Sequence, residues 1–280
     1  MMRQQREQGQ QGRRQVVVVT GAASGIGAAV ARHYGALGAR VVVADIDEAG
    51  GRAVAEEAGG LFVRTDTTSE ADNQALIAAA VEAYGGLDLV HLNAGVGDGG
   101  QFGEDDYDAE RQHRVLAVNL HGVMYGLHAA LPALAAHGGG ALLVTSSMAG
   151  VGMAPFDPVY AATKYAVIGL VRSLAPTWRE RGVRINAICP GIVRTPILAP
   201  EAIDYVLGQG LAVAEPEEIA ASAAEIAAGD TAGQAYVLQA GREPERVEFP
   251  RLTLAQMPSL ADRAAATSSS APSSRTSACS

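Results

Sequence analysis

Short apolar runs alternate with longer segments of helical period along most of this 280-residue chain. The runs are rich in β-branched residues and apolar on both faces, as expected of strands buried on both sides. Strict alternation of this kind predicts a parallel sheet with right-handed helical crossovers. The predicted strands lie at 16–20, 39–45, 61–66, 87–95, 141–147, 183–191 and 234–241. The predicted helices lie near 25–36, 47–58, 69–84, 108–137, 158–181 and 215–228.

The pattern predicts one α/β domain over residues 16–250, with a doubly wound, seven-stranded parallel sheet flanked by helices. Hydrophobic residues make up 48% of the chain, which is enough for a sizeable core, and the low aromatic share of 5% makes that core mostly aliphatic. No internal linker interrupts the alternation. No apolar run approaches the roughly 20 residues that a membrane span needs, so no membrane segment is predicted.

Two terminal segments differ from this body. Residues 1–15 form a basic, glutamine-rich arm, predicted to be disordered and solvated, with a weak anionic contact as the alternative. Residues 251–280 are a low-complexity tail of Ala, Ser and Thr, also predicted to be disordered. The whole chain carries a net charge of −9, and because both terminal segments are net positive, the body over residues 16–250 is more acidic still, which makes nucleic acid an unsuitable partner. Two cysteines, Cys189 and Cys279, give no disulfide framework, which fits a cytoplasmic protein.

The first strand runs directly into the glycine-rich segment TGAASGIG at 20–27. Glycines allow a tight turn and close approach of the backbone to a pyrophosphate, and the helix that follows directs free N–H groups at the anion. Strand before and helix after are the context that a dinucleotide site requires, and they make the fold Rossmann-type. The predicted cofactor contacts here are Gly21, Ser24, Gly25, Ile26 and Gly27.

Asp45 ends the second strand, about 20 residues beyond the glycines. A carboxylate there accepts hydrogen bonds from the adenosine ribose and repels a 2′-phosphate, so NAD is predicted rather than NADP. The next residue is Ile46, a further predicted contact, and no arginine lies in the glycine turn. Asp47 is predicted to cap the following helix.

Two later strand ends point to the same edge of the sheet. Asp66 and Thr67 close the third strand, and Asn93, Ala94 and Gly95 close the fourth. In open α/β sheets, ligands bind at the carboxyl ends of the strands. These residues are predicted cofactor contacts, although Asp66 could equally be a helix cap.

Tyr160 and Lys164 lie four residues apart at the start of a predicted helix, so they share one face. An ammonium beside the phenol favours the phenolate, and a drop of about three pKa units needs about 4 kcal/mol. Together with a cationic nicotinamide ring, Lys164 could then make Tyr160 a general base. Ser146 and Ser147 end the fifth strand, and a hydroxyl there could hold a substrate oxygen. Asn119 interrupts an apolar helix and is either a structural hydrogen-bond partner or a water holder.

These pieces together resemble the classical short-chain dehydrogenase/reductase family over about residues 16–241. Besides the segments named above, the resemblance rests on YAATK at 160–164 and on Pro190-Gly191 followed by Ile192, Val193 and Thr195. It implies that Tyr160 is the general acid/base, that Ser147 polarises the substrate, and that Lys164 lowers the pKa of Tyr160 and binds the nicotinamide ribose. Asn119 would anchor a water that relays protons to Lys164. Pro190, Gly191, Ile192, Val193 and Thr195 would meet the nicotinamide end of the cofactor.

The resemblance also implies a homotetramer or homodimer that packs the helices near 108–137 and 158–181 against their mates. The chain departs from the family pattern at several places. Leu92 replaces an asparagine that often precedes the NAG segment, Pro176 should kink the catalytic helix, and QAYVLQAG replaces the usual final turn. The stretch from Pro190 to Pro216 is short for a substrate lid, which argues against a bulky substrate.

The six histidines share no metal-like spacing, and no metal site is predicted. Cys189 is predicted to be a small core residue. Apolar side chains flank the catalytic segments and could line an apolar substrate pocket or simply pack in the core. They are Met148, Val151, Met153, Phe156, Ile197 and Leu198.

The leading hypothesis is an NAD-dependent oxidoreductase that transfers a hydride between a secondary alcohol, or its ketone, and nicotinamide. The segment NAICPGIVRTPIL and the DxxEAG pattern after the second strand resemble family members that oxidise hydroxylated lipids or steroids, which implies a substrate of that class. A carbonyl reductase working in the opposite direction is the second hypothesis. A catalytically silent dinucleotide sensor is the third, and nucleic-acid binding through the basic arm is the fourth.

Overall fold

A computed structural model describes residues 14–97, 108–155 and 157–250. Within that range, the residues up to Val247 form one compact unit, and a second unit begins at Glu248. The predicted tail, and the predicted arm except residues 14 and 15, lie outside the described residues.

One eight-stranded sheet organises the compact unit, in the order β3-β2-β1-β4-β5-β6-β7-β8. The strands β1 to β7 pair in parallel, as predicted, and β8 pairs antiparallel with β7. The predicted count of seven is therefore one short, because a two-residue strand has no periodicity to detect. The strands are Val16–Thr20, Arg40–Asp45, Leu61–Arg64, Leu89–Leu92, Gly140–Thr145, Val183–Pro190, Ala235–Leu238 and Glu245–Arg246.

Helices follow most strands. The helices α1 to α8 are Gly25–Ala36, Glu48–Glu57, Glu70–Tyr84, Ala109–Leu116, Gly122–Ala136, Pro158–Glu180, Pro200–Gly208 and Pro216–Ala228. The long segment predicted at 108–137 is divided into α4 and α5 by a π-helical turn, Ala117–His121. The helix α7 was not predicted, so the stretch between Pro190 and Pro216 is not a bare connection but carries a helix of its own.

Pro176 lies inside α6, and the helix continues past it to Glu180. The proline therefore does not end this 23-residue helix, and the predicted kink at Pro176 stays a prediction. The turn that carries Tyr160 and Lys164 lies three turns earlier and is helical throughout.

The strand order reverses beside β1, which lies between β2 and β4. Val16 to Val19 have no exposed surface, because helices cover both faces of the sheet there. The chain leaves β1 and β4 at the same edge of the sheet, in parallel register, so the glycine turn and residues 93–95 come together at this edge. This is the switch point where doubly wound sheets bind ligands.

Candidate active site

The glycine turn after β1 is a close-packed backbone cradle. Gly21 and Gly25 have positive φ angles of 63° and 52°, where glycine carries no steric penalty. A Cβ on Gly27 would lie 2.2 Å from the carbonyl oxygen of Gly21, so only glycine fits there. Ser24 is the exposed N-cap residue of α1, and its side chain makes no capping bond within the described chain. The first N–H groups of α1 are thus directed at an anion site.

Neighbouring segments brace this turn. The Asn93 amide donates to the carbonyl oxygens of Thr20 and Gly21 at 3.1 and 3.3 Å. The hydroxyl of Thr20 accepts from the backbone N–H groups of Asn93 and Ala94 at 3.0 and 3.2 Å. A Cβ on Gly21 would lie 2.7 Å from the Cα of Ala94, so the two segments touch. The predicted contacts from β1 and β4 therefore form one surface.

Asp45 joins the cradle from the end of β2. Its Oδ2 accepts from the backbone N–H of Ala23 at 2.9 Å, and its Oδ1 accepts from that of Asp47 at 3.0 Å. The carboxylate is thus held beside the glycine turn by two amide donors. Asp47 caps α2 through the N–H groups of Ala49 and Gly50, which confirms its predicted structural role. Ile46 stands exposed next to the carboxylate.

Asp66 and Thr67 follow β3 and mainly shape the turn before α3. Asp66 Oδ1 accepts from the N–H and the hydroxyl of Thr68, at 2.9 and 2.7 Å, and the capping residue of α3 is Ser69. Thr67 packs against Gly122 at the start of α5, where an added Cβ would lie 3.1 Å from its hydroxyl oxygen. The structure thus favours a local structural role for Asp66 in the turn before α3, and its contact with a cofactor stays a prediction.

Ser147, Tyr160 and Lys164 come together beside residues 93–95. The ammonium of Lys164 donates to the carbonyl oxygen of Thr145 at 3.0 Å and lies 5.4 Å from the centre of the Tyr160 ring. A Cβ on Gly95 would lie 3.2 Å from Lys164 Nζ, which shows how close the fourth strand's end approaches this lysine. The Ser147 hydroxyl interacts with the phenol of Tyr160 and lowers its pKa. The predicted catalytic groups are therefore one cluster.

The protein's own groups keep Tyr160 protonated. Burial raises the pKa of Tyr160, the Ser147 hydroxyl opposes this, and the charge of Asp157 raises the pKa further. Burial also lowers the pKa of Lys164 to about 8. The ammonium of Lys164 lies 5.4 Å from the centre of the ring, and the lowering of the Tyr160 pKa by this ammonium together with a cationic nicotinamide ring stays a prediction.

Asn119 lies in the π-helical turn and is fully buried. Its Oδ1 accepts from the N–H of Val96, and its Nδ2 donates to the carbonyl oxygen of Val96, both at 2.8 Å. The Asn119 side chain therefore fixes the chain that follows Gly95, which confirms the structural alternative. Its predicted role in holding a water stays a prediction.

The segment after β6 covers the other side of the site. Pro190 ends β6, and a Cβ on Gly191 would lie 3.0 Å from the sulfur of Met148. Ile192 accepts a backbone bond from Ala214, and the buried Val193 bridges to the same residue. The methyl group of Thr195 would be 3.0 Å from a Cβ on Gly25. Thr195 therefore lies in contact with the glycine turn, and its contact with a cofactor stays a prediction.

Among the described residues, the apolar side chains near the site form an open rim. Met148 and Ile197 are partly exposed, and Ile197 approaches Gly97 within 3.6 Å of where a Cβ would lie. Met153 is 98% exposed and lines nothing in the described chain. Val151 and Leu198 are half-buried. Phe156 lies outside the described residues.

Leu92 and Cys189 have simple structural roles. Leu92 packs under α5, where its methyl group would lie 2.6 Å from a Cβ on Gly126. An apolar contact with that helix thus occupies the position where an amide was expected. Cys189 is fully buried on β6, which confirms it as a core residue, and burial raises the pKa of its thiol to about 11.

Three polar residues that contribute to the site were not predicted. They are Thr20, which ties β1 to the end of β4, Thr145, whose carbonyl holds Lys164, and His91, which is buried beside Thr145. A signal for two of them exists in the sequence, because a histidine inside LDLVHLNAG and a threonine at the end of ALLVT interrupt otherwise apolar strands. Buried polar groups need partners, so such interruptions predict a hydrogen bond between strands.

Comparison with known proteins identifies the class to which this fold and cluster belong. The family model described as short chain dehydrogenase matches residues 15–205. The chain belongs to the short-chain dehydrogenase/reductase family, whose members are oxidoreductases that bind a nicotinamide dinucleotide. Among the described residues, no helix is both long enough and apolar enough to cross a membrane.

Relatives with named activities match most of the chain. It is 40% identical over 189 residues to a 2,5-dichloro-2,5-cyclohexadiene-1,4-diol dehydrogenase of Sphingobium indicum, covering 66% of this chain and 75% of that protein. It is 34% identical over 237 residues to a cyclohexanol dehydrogenase of an Acinetobacter species, covering 80% and 92%. A crystal structure of a 3-ketoacyl-(acyl-carrier-protein) reductase from Brucella melitensis, complexed with NADH, superposes with a TM-score of 0.75 at 28% identity, covering 82% of this chain and 98% of that one.

Proposed function

We propose that this protein is an NAD-dependent dehydrogenase that oxidises a cyclic secondary alcohol to its ketone, with Tyr160 as the proton-transferring group. The observation that carries the proposal is the cluster of Ser147, Tyr160 and Lys164 beside the cradle formed by the glycine turn and residues 93–95.

The residues present fit a dinucleotide. A Cβ would collide with backbone atoms at Gly21 and Gly27, so the chain keeps the cradle clear, and the first N–H groups of α1 suit a pyrophosphate. Gly25 and Thr195 lie in contact at the edge of the cradle, where Val193 and Thr195 would meet the nicotinamide end. Lys164 would bind the nicotinamide ribose. A nicotinamide dinucleotide bound there supplies the hydride acceptor and, when oxidised, a positive charge.

The proposed preference for NAD over NADP rests on the carboxylate of Asp45. Two backbone donors hold this carboxylate beside the glycine turn. A carboxylate held in this way accepts hydrogen bonds from ribose hydroxyls and repels a 2′-phosphate. The residue after it is the exposed apolar Ile46, which offers no positive charge to a phosphate.

The proton step belongs to Tyr160, Ser147 and Lys164. In alcohol oxidation, the deprotonated oxygen of Tyr160 takes the proton of the substrate hydroxyl while Ser147 donates a hydrogen bond to the same substrate oxygen. The Lys164 ammonium favours the deprotonated phenol, and Thr145 fixes the ammonium through a hydrogen bond of 3.0 Å. Because burial raises the pKa of Tyr160, the phenol needs the additional positive charge beside it before it can act as a base near neutral pH.

A compact cyclic alcohol suits the open rim. Met148 and Ile197 present partly exposed apolar surface, Met148 beside Gly191 and Ile197 beside Gly97. Two of the relatives described above are named for alcohols on six-membered carbon rings. An apolar ring packed against this rim would leave its hydroxyl facing Ser147 and Tyr160.

The test measures NAD reduction with a panel of cyclic secondary alcohols, cyclohexanol among them, and compares Tyr160→Phe with Tyr165→Phe. Both changes remove a phenol oxygen from α6, but Tyr165 is half exposed and bonds only the carbonyl oxygen of Gly152 among the described contacts. We expect Tyr160→Phe to lower kcat by about 10²- to 10⁴-fold, the usual contribution of general acid/base catalysis. Tyr165→Phe should stay within about twofold of the wild type, and NADH binding should survive both changes. Turnover that persists in Tyr160→Phe would contradict the assignment.

One observation favours carbonyl reduction as a second candidate. The raised pKa of Tyr160 makes the phenol a proton donor at neutral pH, which is the form that reduction of a ketone requires. Steady-state rates with NAD and alcohol against NADH and ketone at neutral pH distinguish the two directions. A faster ketone reaction would overturn the oxidative assignment and leave the site residues unchanged.

A further inference from the structure

His91 is a buried histidine that the catalytic assignment leaves unexplained. It lies on β4, level with Val19 on β1 and Leu143 on β5, and has no exposed surface. Its Nε2 is 2.8 Å from the hydroxyl oxygen of Thr145, and its Nδ1 has no hydrogen-bond partner among the residues that the structure describes. Burying an imidazole with one ring nitrogen unpaired costs free energy, so the one hydrogen bond that His91 makes calls for an explanation.

The neighbouring hydrogen bonds determine where the protons lie. The Asn93 Nδ2 donates to two carbonyl oxygens, those of Thr20 and Gly21, so the orientation of this amide is fixed and its Oδ1 must accept. The Thr145 hydroxyl donates its single proton to that Oδ1 at 3.1 Å. The hydroxyl oxygen can then only accept from His91, so the proton of the neutral imidazole lies on Nε2.

These bonds form one directed chain from the core to the glycine turn. His91 donates to Thr145, Thr145 donates to Asn93, and Asn93 donates to Thr20 and Gly21. His91 and Asn93 lie on the same face of the sheet because alternate side chains of a strand share a face. Thr145 belongs to a second contact as well, since its carbonyl oxygen accepts from Lys164.

We infer that His91 is a positioning residue for dinucleotide binding, which fixes the Thr145 hydroxyl so that Asn93 can hold the glycine turn in its binding conformation. The inference rests on the proposed function, because it assigns that turn to the dinucleotide. His91 has no exposed surface, so its role is to position other residues and not to touch substrate or cofactor. Without it the Thr145 hydroxyl can rotate away from Asn93 Oδ1, and Asn93 then holds the glycine turn through its two Nδ2 bonds alone.

The experiment compares NADH affinity, measured by calorimetry, in His91→Leu, His91→Gln and Thr145→Val. Leucine removes the donor with little change in volume, while glutamine can place an amide N–H near the position of imidazole Nε2. We expect His91→Leu and Thr145→Val each to raise the Kd for NADH about 3- to 10-fold, which corresponds to the loss of one hydrogen bond. His91→Gln should restore affinity to within about twofold of the wild type.

The double variant tests whether the two residues act in one chain. Removing His91 in the Thr145→Val background should weaken NADH binding no further, because the link is already broken. Kinetics at saturating NAD should show a raised KM for NAD with kcat within about twofold for His91→Leu. Wild-type affinity in His91→Leu, equal weakening in His91→Leu and His91→Gln, or additive effects in the double variant would each overturn the inference.

Two further measurements distinguish a failure of the proposed function from a failure of the inference about His91. Thermal unfolding of each variant shows whether it is folded, and if His91→Leu does not fold, Thr145→Val and His91→Gln still test the chain from either side. A wild type that binds NADH but oxidises no alcohol in the panel would refute the proposed function alone. Variants that bind NADH as the wild type does would refute the inference alone.

Discussion

Mild acid should destabilise this protein through His91, and replacing His91 with leucine should remove that loss. Burial lowers the pKa of His91 from 6.5 to about 4, because the imidazolium would have no water around it. Between those two values the unfolded chain binds a proton at His91 and the folded protein does not. The free energy of unfolding therefore falls as the pH is lowered from about 6.5 to about 4.

The magnitude follows from the same two pKa values. One pKa unit corresponds to about 1.4 kcal/mol, so the full loss below both values is about 3 kcal/mol. At about pH 5, where the unfolded imidazole is almost fully protonated, about 2 kcal/mol is already lost. That is a large part of the stability of a typical domain. Lys164, whose pKa is about 8, keeps its charge throughout this range and does not contribute to the change.

The assay is urea unfolding of the wild type and His91→Leu at about pH 7 and about pH 5. Carboxylates titrate in both proteins, so the comparison between them isolates the histidine. We expect the wild type to lose about 2 kcal/mol more than His91→Leu over this interval. Equal losses, within about 0.5 kcal/mol, would mean that His91 is solvated or already paired when protonated, and the burial argument would be refuted.

Other predictions test the cradle, each against a matched change elsewhere. Asp45→Ser should raise the preference for NADP over NAD by about tenfold or more, because it removes a negative charge that would face the 2′-phosphate. Asp47→Ser keeps a capping side chain and should leave this ratio within about threefold. The measurement is kcat/KM with both dinucleotides, and an unchanged ratio in Asp45→Ser would place the determinant of specificity at another residue. Gly21→Ala and Gly38→Ala both put a side chain at positive φ, but only Gly21 faces a backbone atom at 2.7 Å, while nothing lies within 4 Å of Gly38. Gly38→Ala should therefore lower the free energy of unfolding in urea by about 1 kcal/mol and leave NADH binding intact. Gly21→Ala should lower the free energy of unfolding further and bind NADH poorly. Similar behaviour of the two variants would contradict the close contact between Gly21 and Ala94.

The sheet and the cradle could be predicted because their signals are local. Runs of β-branched residues gave the parallel strands, and β2 was predicted within one residue of Arg40–Asp45. Glycines at 21, 25 and 27 predicted the turn because a positive φ or a close backbone approach excludes other residues there. The pair of Tyr160 and Lys164 was predicted from their spacing on one helix, whereas the choice of Ser147 over Ser146 rested on the family resemblance.

Features that depend on tertiary contacts were not predictable in this way. The helix α7 is nine residues long and begins at a proline that follows several turn-forming residues, so its pattern is too short to distinguish from a loop. The strand β8 exists only through pairing with β7. The raised pKa of Tyr160 depends on burial in the folded chain, which no local pattern reveals, whereas the expectation of a lowered pKa rested on Lys164 and a cationic nicotinamide ring.

Thr145 links the glycine turn to Lys164. One residue offers its hydroxyl to the Asn93 amide that holds the turn and its carbonyl to the ammonium of Lys164. The end of β5 thus contacts both the residue that braces the glycine turn and the ammonium of Lys164. A buried histidine that fixes the hydroxyl but not the carbonyl should therefore change dinucleotide affinity more than the rate of the chemical step.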